Sequence, residues 1–161
     1  ATHSIVFAGP VEGLIELRQI RSGEKYEDFY DDLNALDAKV VANSAGQSLI
    51  RVNTDAERGN WAQSWQWSVD DQRVFAAAFA ELMQNFKSVE TYVALGSINQ
   101  GVSKHGESHY IYSNQGSFAD NLNGGPQNQP EFEAFEKFGN TIAPISTFLG
   151  TRTEVTIKTW Q

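Results

Sequence analysis

The pattern that most constrains this chain is a strand–cap–helix unit used three times. An extended run rich in β-branched and aromatic residues ends in polar residues able to cap a helix. An amphipathic helix follows, and a second extended run closes the unit. The units open near Gly13-Leu14-Ile15, Trp61-Ala62-Gln63 and Ser108-His109-Tyr110. Repeated units of this kind place helices on one face of an antiparallel sheet and leave the other face to bind something.

In the first unit, residues 11–20 form the opening strand, with Ile15 and Leu17 alternating with Glu16 and Arg18. Ser22 is placed to cap a helix whose apolar face carries Tyr26, Phe29, Tyr30, Leu33, Leu36 and Val40. Gly46 falls near a C′ position, and residues 48–52 return as a strand. The second unit has the cleanest period of two in the chain. Trp65, Trp67 and Val69 share one face of residues 61–69, and Ser64, Gln66 and Ser68 share the other. Asp70 or Asp71 caps the next helix, whose apolar positions run from Val74 and Phe75 to Phe86, and residues 91–98 form a strand. The third unit is irregular. Residues 108–113 open it, 114–117 read as a cap, and Phe118 and Leu122 suggest a short helix. A Gly- and Asn-rich stretch over 123–129 interrupts that helix, Pro130 fits a first helical position, and Pro144 ends the run. The last strand spans 151–160, with Val155 and Ile157 opposite Glu154, Thr156 and Lys158 in the pleat.

Composition narrows the function classes. A chain of 161 residues can bury a real core as a single domain over 1–161. The net charge of −8, with no basic stripe, argues against a nucleic-acid partner. No apolar run is long enough for a transmembrane helix. The absence of cysteine rules out disulfides, thiolate catalysis and Cys-ligated metals. Location stays open. The Ala1-Thr2-His3 start, with Met83 the only methionine, gives a preference for an exported or periplasmic bacterial protein.

The polar entries into the helices, Ser68-Val69-Asp70-Asp71-Gln72-Arg73-Val74-Phe75 and Ser113-Asn114-Gln115-Gly116-Ser117-Phe118, follow one style, and the element order through residue 98 reads βαββαβ. Together they resemble a ferredoxin-like module of the dimeric α+β barrel superfamily, which includes antibiotic-biosynthesis monooxygenase-type and stress-responsive barrel proteins. The fold class expected is α+β: a ferredoxin-like module over 11–98 plus an additional βαβ unit over 108–160, with an antiparallel sheet and helices on one face. The resemblance implies a homodimer whose open sheet faces enclose a small-molecule pocket, and an activity of cofactor-independent oxygenation or isomerisation. A standard module ends after its fourth strand, so the third unit departs from it and either completes the barrel within one chain or extends the sheet. Haem-binding members carry the proximal histidine on a helix. His3, His105 and His109 lie off the predicted helices, so no cofactor is expected.

The candidate site follows from which face of the 61–69 strand the helices cover. If Trp65 and Trp67 lie beneath them, Gln66 faces the pocket, joined by Arg18, Arg51 and Tyr92, with arginine suited to fork onto a carboxylate. In the reverse orientation Trp65 and Trp67 line the pocket and stack a planar ligand. His109 and Tyr92 are the candidate catalytic groups, with Tyr110 beside them. A metal held by His105, His109 and Glu107 has no recognised spacing, and no metal site is assigned. The alternative reading is a non-enzymatic interaction or assembly protein that uses the same open sheet face for protein contact.

Overall fold

A computed structural model of the chain describes residues 2–8, 15–18, 35, 44–101, 108–115 and 124–159. Seven strands form one antiparallel sheet: β1 (Thr2–Ala8), β2 (Ile15–Arg18), β3 (Ser44–Val52), β4 (Trp61–Val69), β5 (Val93–Gly101), β6 (Ser108–Gln115) and β7 (Ser146–Thr159). Their order across the sheet is β2-β1-β7-β4-β6-β5-β3. Two helices, α1 (Gln72–Asn85) and α2 (Gln129–Ile142), pack on one face, and a short 3₁₀ turn over Ala143–Ile145 leads from α2 into β7. The protein is therefore α+β. The first expected helix, over 22–42, lies outside the described residues apart from Ala35, which is helical, and the short helix at Phe118 and Leu122 lies outside them altogether.

Both described helices begin where local chemistry directs. Asp71 accepts hydrogen bonds from the Arg73 and Val74 amides at 3.0 Å each, satisfying two amides that the first turn leaves open. Phe75, Ala78, Phe79 and Leu82 then recur at helical spacing and are buried. Asn128 caps α2 by accepting from the Glu131 amide at 3.1 Å, which puts Pro130 one position further into the helix than expected. Trp65, Trp67 and Val69 of β4 pack against this layer, beside Leu95 of β5 and Phe138 and Ile142 of α2. Trp67 meets the Phe75 ring at 5.5 Å, and Phe75 meets Phe138 edge-on at 5.7 Å. Phe75, Phe79 and Leu95 are 0% exposed, each stabilising the fold by about 1.5–3 kcal/mol through burial.

The strand order corrects the expected grouping. β2 lies at one edge of the sheet beside β1 and β3 at the other beside β5, while β4 pairs with neither, so the strands of 11–98 do not form one contiguous module. β6 lies between β4 and β5, and β4 lies between β6 and β7. Each of the units β4–α1–β5 and β6–α2–β7 thus joins two parallel strands that straddle a third. β1 adds to β7, a pairing that no local pattern announced.

Several boundaries move for the same non-local reason. Gly46 is no helix cap. It sits inside β3 at a register shift, where a Cβ would lie 1.8 Å from the Ser97 carbonyl oxygen, so only glycine allows β3 this close to β5. β6 runs through Gln115, across the expected cap at Asn114. β7 starts at Ser146, before the expected 151, and carries a bulge. Gly150 pairs with Gln66 and Phe148 with Trp67, so Leu149 is an extra residue, and Gly150 has φ 141°.

The sheet face away from the helices is not the open surface that the sequence suggests. Val93, Ala94, Leu95, Gly96 and Ser97 are all buried, which in a pleated strand requires cover on both faces. On β4, Ala62 is 2% and Ser64 8% exposed, although both point away from Trp65 and Trp67. On β7, Ile157 is 52% exposed while Glu154, on the opposite face of the pleat, is 2% exposed.

Candidate functional site

The face opposite α1 and α2 holds small, polar and charged positions with two tyrosines, where the helix face holds large apolar ones. Register lays them out in rows across the sheet. One row runs Gly150, Gln66, Tyr110, Gly96 and Ser48 from β7 to β3. The next runs Arg152, Ser64, Tyr112, Ala94 and Arg51. A third begins Glu154, Ala62 and Asn114. With strands ~4.8 Å apart, each full row is roughly 19 Å long, the width of a small organic ligand and its contacts.

One end of this floor carries a buried ion pair. Arg152 and Glu154, two residues apart on β7, lie on the same face of the pleat. The Arg152 Nε donates to Glu154 Oε1 at 2.9 Å, and Nη2 lies 2.7 Å from the same oxygen. The Glu154 side chain is 2% exposed and the Arg152 side chain 29%. Burying such a pair costs desolvation that its attraction only about offsets, so it is weak as a stabilising device. Its chemical effect is to hold the guanidinium in a fixed orientation on the row of Ser64.

The expected site residues divide between regions. Trp65 and Trp67 belong to the helix-side core, Trp67 also meeting Phe148 at 5.3 Å, so they are packing rather than a stacking platform. Gln66 is half-buried on the opposite face, in register with Tyr110. Arg51 is exposed on the edge strand β3, across from Ala94. The Tyr92 ring lies just before β5, with the Arg58 guanidinium 3.2 Å from its centroid, a cation–π contact. Arg18 pairs with Thr2 at the β2 edge, and its side chain, like those of His109 and Tyr110, lies outside the described part. His109 is in register with Trp67 and Ser97, so strand alternation puts its position on the other face from the Gln66–Tyr110 row. The set His109, Arg51, Tyr92 and Gln66 is therefore not one constellation. His105 and Glu107 lie outside the described residues, among which no group of three or more potential metal ligands occurs.

Sequence reading missed Arg152, Glu154 and Ala94. The available signal was an Arg-x-Glu alternation in an otherwise β-branched strand, which without the register reads as a solvated face.

On the helix side, Glu131 is 1% exposed and is a structural anchor. Its carboxylate accepts from the Gln127 amide at 2.9 Å, the Ser88 amide at 2.7 Å and the Ser88 hydroxyl at 2.8 Å, tying the start of α2 to the segment after α1. The Gln127 amide is the largest cause holding this carboxyl below the usual range, with the Ser88 bonds adding to it, and together they outweigh the opposing push of burial. A groove of about 300 Å³ separates α1 from α2 over Ala78, Leu82, Ala134 and Phe138, and the Glu81–Lys137 ion pair lies along it. None of the described helices is long and apolar enough to cross a membrane.

No family model, curated protein or solved structure matches this chain.

Proposed function

We propose that this protein binds a small anionic molecule on the sheet face opposite its helices, and that residues 61–159 are a ferredoxin-like module of the dimeric α+β barrel type. Supporting the module are the element order β4-α1-β5-β6-α2-β7 and its two split βαβ units, with both helices on one face. The observation that carries the binding reading is the floor itself: Ala62, Ser64, Ala94 and Gly96 are small and buried, and the oriented Arg152–Glu154 pair lies at one end. These small residues stand on β4 and β5, either side of Tyr110 and Tyr112 of β6, and a guanidinium at the end of such a row is suited to a carboxylate or phosphate.

Binding is preferred to cofactor-independent oxygenation or isomerisation. The His109 position falls on the other face, and Tyr92 is engaged by Arg58. A homodimer is not needed by this reading, because the floor is covered within one chain.

A thermal-shift panel of small mono- and dicarboxylates and phosphate esters tests it. A ligand at a hundred times its Kd stabilises by ~2.7 kcal/mol, a shift of several degrees for a chain of this size. At least one class should raise the melting temperature of the native protein and leave Arg152→Met unmoved. Shifts absent from the whole panel, or equal in the variant, reject the reading.

A further inference from the structure

Two arginines stand at opposite ends of one row on the face away from the helices. Arg152 of β7 opens the row, Ser64, Tyr112 and Ala94 follow on β4, β6 and β5, and Arg51 of β3 closes it. With strands ~4.8 Å apart, the backbones of the two ends are roughly 19 Å from each other. The three positions between them carry no charge, and the neighbouring row from Gly150 to Ser48 has no charged residue at all. Within the Arg152–Glu154 pair the Glu154 side chain is 2% exposed and the Arg152 side chain 29%, so a ligand arriving from solvent meets the guanidinium. Arg51 is exposed, and among the described residues its side chain forms no ion pair.

We infer that the molecule bound on this face is a linear dicarboxylate, with one carboxylate at Arg152, the other at Arg51, and an uncharged chain crossing β4, β6 and β5. The inference rests on the anion-binding reading above and names its ligand class. The argument is charge complementarity along the row: positive, three uncharged positions, positive. A monoanion satisfies one arginine and leaves the other to water. A second carboxylate on the same molecule adds its contact without a second loss of translational freedom. Length is selected as well, because a short dianion meets Arg152 and stops before the far edge. The chain's net charge of −8 gives no general attraction for anions, so capture depends on local pairing at the two ends. Arg51 is exposed, so its pair contributes modestly, about fivefold in affinity.

Isothermal titration of the native chain with suberate, octanoate, succinate and butyrate tests this. Suberate should bind about fivefold more tightly than octanoate, its monoanionic counterpart of equal length. Succinate, too short to span the row, should show no such advantage over butyrate. Arg51→Met, on an exposed edge strand, should keep its circular dichroism and lose the difference between suberate and octanoate. Arg152→Met should weaken all four. Suberate no tighter than octanoate overturns the inference and leaves anion binding at Arg152 standing. So does a preference that survives Arg51→Met, or one equally large for succinate over butyrate. If none of the four binds, the inference falls; phosphate esters failing as well rejects the anion-binding reading itself.

Discussion

The two faces of this sheet are both buried at their centre, but by opposite means. On the helix face, Trp65, Trp67, Phe75, Phe79, Leu95 and Phe138 fill space with large interlocking side chains. On the other, the small residues Ala62, Ser64, Ala94 and Gly96 stand on β4 and β5, with Tyr110 and Tyr112 of β6 at the register positions between them and a charged pair at one end. Apolar burial scales with the area and volume removed from water, so the first face supplies most of the fold's stability. The second gives up that gain and keeps an ion pair that adds little.

The contrast is open to breakage by substitution, beginning with the largest effect. Phe75→Ala, at the centre of the helix face, should cost about 3–5 kcal/mol in denaturant unfolding. A cost below ~1 kcal/mol would mean the helix layer is not the main core. Glu154→Ala on the opposite face should cost less than the ~3–5 kcal/mol of a fully buried pair, because Arg152 retains some contact with water. The double replacement Arg152→Met with Glu154→Leu should recover most of that loss while leaving carboxylate binding abolished. Such a result would separate the pair's role in binding from its role in folding.

A smaller and pH-limited effect is expected at Glu131. Its folded pKa is depressed, so its stabilisation is complete above the ordinary carboxylate range and is lost as pH falls through the lower folded value. Glu131→Gln should therefore be less stable than the native protein at pH 7, with the gap narrowing on acidification below about pH 4. A gap independent of pH between 7 and 3 would show that the carboxylate's charge is not what Ser88 and Gln127 hold.

Local chemistry was legible in the sequence. β4 matches its expected bounds because alternation over Trp61–Val69 needs no partner to be read, and α1 begins where Asp71 caps it. Partnership was not legible. β1 and the order of strands depend on long-range pairing. The role of Gly46 depends on how close β5 comes, and Glu154 is placed across from Ala62 by the β4–β7 register. The candidate site was half visible for that reason. Gln66 could be assigned to the face away from the tryptophans by alternation alone, whereas Arg152 and the separation of His109 from that face required the register.

The most direct measurement is the melting temperature of Ala94→Leu. If space for a ligand lies above the floor, the larger side chain enters it, and the melting temperature stays level or rises, as in other cavity-filling changes. If the floor is packed tightly by the chain itself, overpacking costs about 1–3 kcal/mol and the melting temperature falls by several degrees. That fall would contradict a binding face.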